Sequence, residues 1–401
     1  IEGVAYEYYF EIFDNDALHN YKSSKSSLFF FKKLTQDEKE KEQLQNQENT
    51  INGLDKSLEK LKDEDKALQE LSKTQKEKKE LNWNDKKKLE NFIKRQQQQE
   101  QMMKNFSKEL KENLENFQPE NEEDPFKEQL KERLEENEER LKKNEKLLEE
   151  LEKLQDKIHK EDLAEKLEKL AKQNKNQEKN LEQLVELTKR YYVTKKAEKL
   201  SEELFKLAEE QEKLADSKKE ENTKEAQEEL NKKFEEYKKQ MDDLQKENEE
   251  LKKPLELPQD KIGEKIVEKE QENATEKLKE ENQSGASENQ KKAAKKMKEM
   301  SQQMQAEMMS GEGESMEEDV EMLRQVLDNL VVFSFEQENL MNEFKSIDYG
   351  NAVFGKKLNK QNDLKLNFKH IDDSLFVLAL RQPLISEKIN SSITNIEFNL
   401  D

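Results

Sequence analysis

The sequence contains no cysteine, which excludes disulfide bonds and thiolate chemistry and leaves the redox compartment open. Glycine and proline are scarce, with 8 and 5 residues among 401, so few positions interrupt a helix. Only 31% of the residues are hydrophobic, and 42% are charged. This composition is typical of long exposed helices, and it supplies too few apolar residues to fill a globular interior over most of the chain.

Long hydrophobic runs are also missing. The longest, Leu330–Phe335 and Leu375–Leu380, are far shorter than the roughly 20 residues of a membrane-spanning helix. The net charge of −21 would repel nucleic acids and anionic membranes. Lysine-rich runs at 86–88 and 291–296 have acidic neighbours, and we interpret them as solvated helix faces. We expect protein partners and no nucleic acid, with membrane contact only through segments outside this sequence.

Heptad spacing predicts helices that pair with other helices. One run alternates steps of four and three residues: Leu163, Leu167, Leu170, Asn174, Gln177, Leu181, Leu184, Thr188 and Tyr191. A second run does the same: Leu230, Phe234, Tyr237, Met241, Leu244, Asn248 and Leu251. Each run places a narrow apolar seam on one side of a helix, and a partner helix is needed to cover it. Disorder, the alternative for so charged a chain, gives leucines no reason to keep register, so we predict helices over residues 35–252.

Residues 1–34 follow a different pattern. Val4, Tyr6, Tyr8, Phe10 and Ile12 recur every second residue, which is the period of a β-strand. Turn residues follow at 14–16, and a second strand is predicted over 26–34. Because two strands alone do not hold together in water, we expect them to be the last strands of a truncated β-sandwich domain. The chain is accordingly interpreted as an interior fragment of a longer protein.

Prolines and helix-capping residues divide the helical region. Residues 118–125, with Pro119 and Pro125, are predicted as the tip of an antiparallel hairpin with arms 35–117 and 126–209. Breaks in the seam near 82–85 and 158–162 then lie at the same level along the two arms, with Asn82 facing Glu161 and Asp85 facing Ile158. This match predicts an elbow partway along a rod of about 125 Å. A parallel homodimer is the alternative, and a homo-oligomer remains an open expectation.

The composition changes twice after residue 252. Residues 253–315 are predicted as a low-complexity linker of broken helices or a partly disordered tether. Residues 316–401 have a broad apolar face and are predicted as a compact helical bundle. The predicted fold class is therefore mainly α: a long antiparallel coiled-coil hairpin plus a C-terminal helical bundle, preceded by a short remnant of a β-sandwich domain.

Two sets of residues have both a structural and a functional interpretation. Five methionines share one helical face: Met297, Met300, Met304, Met308 and Met309. Packing is the favoured interpretation, an adaptable contact surface is the functional alternative, and thioether copper ligation lacks support from His or Cys. Asn174 and Asn248 occupy seam positions, where Asn penalises wrong registers at a cost in stability. The Asn-rich composition of the chain explains these two residues about equally well.

No spacing of reactive side chains predicts a reaction. Residues 350–357 resemble a phosphate-binding loop, but Lys357 stands where that loop needs Ser or Thr, and a helix rather than a strand precedes it. His19, His159 and His370 are far apart and form no ligand pair at helical spacing. Carboxylates on exposed helices are solvated, so nothing raises their pKa for acid catalysis. We expect no enzyme activity, no cofactor and no metal site.

Two passages, Tyr6–Ser26 and Met322–Gln337, resemble a bacterial, Bacteroidetes-type family of large uncharacterised envelope proteins. The resemblance covers the whole chain as an interior fragment. It implies transmembrane helices near the N-terminus of the full-length protein, then β-domains and long charged helices. It therefore implies membrane anchoring in the cell envelope, whereas the fragment itself is expected to be soluble. The family has no established activity.

These observations favour a non-enzymatic structural or scaffold protein that acts as a spacer and docks a protein partner. The candidate docking residues all lie in the C-terminal bundle: Phe333, Phe335, Leu340, Met341 and Phe344. Packing in the core of that bundle is the favoured alternative interpretation of these residues. A chaperone-like holdase that uses the helical arms and the methionine stripe is the alternative. A weaker alternative is the coiled-coil arm of a nucleotide-driven machine whose motor lies elsewhere.

Overall fold

The structure is a computed structural model that describes residues 2–15, 22–77, 82–116, 124–154, 160–346, 352–382 and 385–400. Helices dominate these residues, which confirms the predicted mainly α fold class. Glu, Lys, Gln and Leu fill most helical positions, and these residues propagate a helix well. The helices are α1 (Gln36–Glu77), α2 (Trp83–Asn116), α3 (Pro125–Leu154), α4 (Lys160–Asp216), α5 (Lys224–Glu249), α6 (Lys261–Lys279), α7 (Gln283–Lys345), α8 (Ala352–Ala379) and α9 (Glu387–Leu400).

The N-terminal strands form an antiparallel ribbon. β1 (Ala5–Tyr8) pairs with β4 (Phe29–Lys32), and β2 (Glu11–Phe13) pairs with β3 (Ser23–Lys25). The first predicted strand is thus interrupted between Tyr8 and Glu11, where the Phe10 N–H donates to Ser26 Oγ (2.9 Å). The second strand, predicted over 26–34, contains only β4, because β3 precedes that range. Most aromatic side chains of the ribbon are exposed. Its place in a larger β-sandwich stays a prediction.

Helices α1 to α3 and the first half of α4 form an antiparallel bundle, called the first bundle below. Across the predicted tip, Lys111 of α2 pairs with Glu135 of α3 (2.6 Å). Lys189 of α4 pairs with Asp55 of α1 (2.6 Å). The predicted hairpin centred on residues 118–125 requires facing residue numbers to sum to about 243, and these pairs sum to 246 and 244. The antiparallel pairing of the two arms is therefore confirmed.

The predicted elbow is a complete reversal of the chain, so the expected rod of about 125 Å is wrong. Arg95 of α2 pairs with Glu64 of α1 (2.6 Å), which places α2 alongside α1 rather than beyond its end. Lys166 of α4 pairs with Glu150 of α3 (2.7 Å) in the same way. Since α2 has 34 residues, the bundle is about 50 Å long.

Capping and burial explain this reversal. At the start of α2 the Asp85 N–H donates to Asn82 Oδ1 (2.9 Å) and the Asn82 N–H donates to Asp85 Oδ2 (3.1 Å), a reciprocal cap that begins a new helix. Folding the hairpin in two also brings leucines and a phenylalanine of all four helices into one cluster, which includes Leu68, Phe92, Leu148 and Leu163. α2 and α4, which begin next to Asn82 and Glu161, start at the same end of the bundle, and Ile158 lies outside the described residues.

The second half of α4 packs with α5, α6 and the first half of α7 in a second bundle. Its core includes Ala197, Leu204, Phe234, Met241, Val267, Ala293 and Met297. Residues 253–315, predicted as a linker, therefore contain α6 and half of α7 in packed form. Alanine and methionine replace leucine on the buried faces of these helices, so the seam is hard to recognise in the sequence.

The second half of α7 packs with α8 and α9 in a C-terminal group. Its core includes Val326, Phe333, Leu340, Leu364, Phe368 and Ile371. α7 passes the predicted boundary at residue 316 without interruption. α9 also contacts α4, where Asn390 Nδ2 donates to Gln183 Oε1 (2.6 Å). Within the described ranges, no helix has an apolar run long enough to cross a membrane.

Candidate docking surface

The structure divides the five predicted docking residues between the interior and the surface. Phe333 and Leu340 are buried in the core of the C-terminal group, where the Phe333 ring lies 4.9 Å from that of Phe368. Phe344 is partly buried, with its ring 5.3 Å from that of Phe354. Phe335 and Met341 are exposed, at 63% and 44% of their surface. Only these last two are available to a partner.

Phe335 belongs to a second apolar face of α7 that the sequence analysis did not recognise. Six exposed residues recur at steps of four or three along this face, which we call the α7 stripe: Met316, Val320, Leu323, Leu327, Val331 and Phe335. The exposed fraction of these residues lies between 47% and 65%. The spacing is the one by which a helix presents a seam to another helix. The signal was present in the sequence but overlapped with the buried face of the same helix.

Contacts on the opposite side of α7 fix the direction in which the stripe points. Val326, Phe333 and Leu340 are spaced by seven residues and are buried against α8 and α9. Arg381 Nε lies 2.7 Å from Asp319 Oδ1, and both side chains are almost fully buried. A buried pair of this kind stays intact because separating the two charges would leave each without compensation. α7 therefore holds a fixed rotation, with the stripe towards solvent.

Acidic residues border the α7 stripe. Glu317, Asp328 and Glu338 are exposed and lie three residues from Val320, Val331 and Phe335, a spacing that puts them on the same face. Arg324 also lies beside the stripe, but Nη1 of Arg324 is 3.1 Å from Glu321 Oε2. The surface is thus an apolar strip in a negative field, and it complements a partner that carries positive charge.

The methionine stripe has a different position from the one that the holdase hypothesis requires. Met297, Met300 and Met304 are buried in the second bundle, and Met308 is partly buried against the same core. Only Met309, at 76%, is largely exposed. The methionines therefore act mainly in packing, and they leave no continuous surface that could hold an unfolded client.

A layer of buried polar side chains crosses the first bundle, and the heptad pattern of the sequence indicates only part of it, at Asn174 and Gln177. Asn144 Nδ2 donates to Glu100 Oε1 (3.1 Å) and to Gln177 Oε1 (2.5 Å). Burial raises the pKa of Glu100 to about 7, which the hydrogen bonds from Asn144 and Gln177 only partly oppose. The positive charge of Arg140 lowers the pKa of the same carboxylate, and the negative charge of Glu145 raises it. Asn174, predicted as a register-setting residue, is buried in the same region.

The remaining motifs contribute no reactive group to this surface. Lys357 lies within α8 and pairs with Glu343 of α7, while residues 347–351 fall outside the described part of the chain. His370 is exposed on α8, and His19 and His159 are also outside the described residues. Among the described residues, no three His, Asp or Glu side chains are grouped closely enough to hold a metal ion.

Comparison with known proteins adds no relative: no family model matches the chain, and searches of curated proteins and of solved structures found no match.

Proposed function

We propose that this chain belongs to a non-enzymatic scaffold protein that acts as a spacer and docks a protein partner through the α7 stripe. The observation that carries the proposal is an apolar seam that remains exposed on a helix whose opposite face packs against α8 and α9. Exposed apolar strips of this extent, bordered by polar residues, are typical of interaction sites. Location in the cell envelope is proposed with it, on the resemblance alone.

The helices that hold the stripe suit a spacer. α4 has 57 residues and α7 has 63, so these helices extend about 85 and 95 Å. α4 belongs to both bundles and α7 joins the second bundle to the C-terminal group. Because each of these continuous helices belongs to two packed units, a force or a displacement applied to one unit is transmitted to the next. The stripe therefore keeps a defined distance from the first bundle.

The partner that fits the stripe is an amphipathic helix with lysine or arginine beside its apolar residues. The steps of four and three residues match a helical partner rather than an extended one. The acidic border at Glu317, Asp328 and Glu338 favours a basic one and disfavours another acidic surface. A second copy of this chain is less suitable, because two such borders would approach each other.

Site-specific photo-cross-linking tests this function. Benzoylphenylalanine replaces Leu327 of the stripe or, as a matched control, Leu358 of α8, which is 51% exposed. We expect the probe at 327, in the native cell, to capture one protein through a peptide with basic residues beside a heptad of apolar ones. The charge reversals Glu317→Lys and Asp328→Lys should reduce this product several-fold, whereas Glu299→Lys in the first half of α7 should not. Equal capture at both positions, or capture of an acidic peptide, contradicts the proposal.

The holdase hypothesis is not favoured, because its contact surface is largely buried in the second bundle. The motor-arm hypothesis has no specific observation in its support.

A further inference from the structure

A cavity of about 190 Å³ opens in the second bundle, between α5, α6, α7 and the segment that leads into α6. Buried apolar side chains form one part of its wall: Tyr237, Met241, Met300 and Met304. Polar side chains form the other part: Gln259, Asp260, Glu264, Gln303 and Glu307. Three of the five polar residues are acidic, and among the residues that the structure describes no lysine or arginine lines the cavity.

The charge balance at the cavity is incomplete. Glu264 is almost fully buried, and its partner Lys261, at 3.2 Å, is half exposed to solvent. Lys261 is also shared with Asp242, at 2.6 Å. Lys296 balances Asp260, at 2.8 Å, so that Asp260 adds little net charge. The buried carboxylate of Glu264 is therefore only partly neutralised, and a cation in the cavity would stabilise it.

Tyr237 and the methionines suit an organic cation. Burial and the charge of Glu264 raise the pKa of Tyr237 well above its ordinary value, so the ring stays neutral. A neutral tyrosine ring attracts an ammonium group, most strongly where water is excluded. Methionine side chains are flexible and polarisable and adapt to the apolar part of a ligand.

We propose that this cavity binds a small organic cation, with its ammonium group near Glu264 and Tyr237 and its apolar part against Met241, Met300 and Met304. A cavity of about 150 Å³ holds benzene, so one of this size accommodates a compact molecule of somewhat larger volume. A single copper ion on the thioethers would leave most of that volume empty. The proposal is independent of the α7 stripe and of the scaffold function.

Choline and its neutral isostere 3,3-dimethylbutan-1-ol are the probes, because they share shape and differ in charge. With carbon-13 in the methionine methyl groups, choline should shift the signals of Met241, Met300 and Met304 and leave that of exposed Met316 unchanged. We expect the neutral isostere to bind at least about tenfold more weakly, a difference of roughly 1.4 kcal/mol. Equal affinity for the two probes, or the absence of shifts at the cavity methionines, overturns the proposal.

Substitutions locate the site. Glu264→Gln should weaken choline binding about tenfold and leave binding of the neutral isostere unchanged. Met297→Leu is the matched control, because Met297 is buried one turn away on the same helix but does not line the cavity. Glu307→Gln, at an exposed position that should fold normally, is expected to weaken choline binding by a smaller factor. Unchanged choline affinity in both glutamine variants overturns the proposal.

Discussion

The two bundles that share α4 are assembled from similar sequence but bury different polar groups. The first bundle encloses a carboxylate, Glu100, together with the guanidinium of Arg140. The second bundle also buries a carboxylate, Glu264, but the polar layer that joins its helices consists of neutral amides: the side chains of Gln211 and Gln227 donate to each other, at 2.8 and 2.9 Å. Both arrangements define which helix faces which, because a shifted register would leave these groups without partners.

The two bundles also differ in how closely their helices approach each other. In the second bundle the Ser301 hydroxyl donates to the Ser201 carbonyl (2.8 Å), and the Ser201 hydroxyl donates to the Ser301 carbonyl (3.1 Å). Such reciprocal bonds between side chain and backbone require α4 and α7 to approach closely, and buried alanines such as Ala197 and Ala293 permit this. In the first bundle, leucine and phenylalanine side chains such as Leu68 and Phe92 fill the space between the four helices. The raised pKa of Glu100 should therefore make the stability of the first bundle depend on pH, and the close contact between α4 and α7 should make the second bundle sensitive to side-chain size.

The largest expected effect tests whether the two cores are equally well packed. Phe92 of the first bundle and Phe234 of the second are both fully buried. Phe92→Ala and Phe234→Ala should each lower the free energy of unfolding by about 3–5 kcal/mol, measured by urea denaturation with circular dichroism. Phe205→Ala on α4, at a position 36% exposed, is the control and should cost far less. A small loss in only one bundle would show that its core is loosely packed.

The second prediction concerns pH in the first bundle. Because burial raises the pKa of Glu100 to about 7, the folded state binds its proton more tightly than the unfolded state, where the pKa is near 4.5. The contribution of Glu100 is therefore most favourable below pH 4.5 and is lost as the pH rises to about 7. The loss is at most about 3 kcal/mol.

Glu100→Gln should remove this pH dependence. The variant is expected to be more stable than the native chain at pH 8 and close to it at pH 5, in urea denaturation at both values. Glu109→Gln, at an exposed position of the same helix, is the control and should leave the pH dependence in place. If both variants show the native dependence, Glu100 is not the group that titrates.

The third prediction tests the close contact in the second bundle. Ser201→Leu adds volume where the serine hydroxyl already reaches the backbone of α7, and it should cost about 1–3 kcal/mol. Ser201→Ala removes only the hydroxyl bond and should cost about 1 kcal/mol. The difference between the two variants measures the steric part, and an equal cost would mean that the helices are free to separate. Neither loss should change between pH 5 and pH 8.

Much of the fold could be predicted from the sequence, because period and capping are local. The ribbon and the antiparallel register of the two arms follow from such signals, whereas residues 118–123 of the predicted tip lie outside the described part of the chain. The sequence did not indicate whether the chain bends or reverses at the elbow, because the same heptad seam can be covered by one partner helix or by three. Adjacent apolar residues, such as Leu147 and Leu148 or Tyr191 and Tyr192, were an indication of the reversal. All four of these side chains are buried. Adjacent buried residues give a helix more than one covered face.

The docking surface was only partly predictable for a related reason. Hydrophobicity selected Phe333 and Phe335 together, although they lie on different sides of α7. When a helix has two overlapping apolar faces, its sequence does not show which face is buried in the folded protein. That choice depends on α8 and α9, and on the distant pair between Asp319 and Arg381. The cavity near Glu264 arises from three helices and had no signal in any one of them.

The smallest expected effect distinguishes the two faces of α7. Phe335→Ser removes an exposed ring and should change the free energy of unfolding by less than about 0.5 kcal/mol, whereas Phe333→Ala should cost about 3–5 kcal/mol. Both are measured by urea denaturation of the same chain. Because Phe335 contributes little to folding, its loss should appear instead as weaker partner capture at position 327. A large loss of stability in Phe335→Ser would place its ring in the folded core and leave the α7 stripe without its terminal aromatic residue.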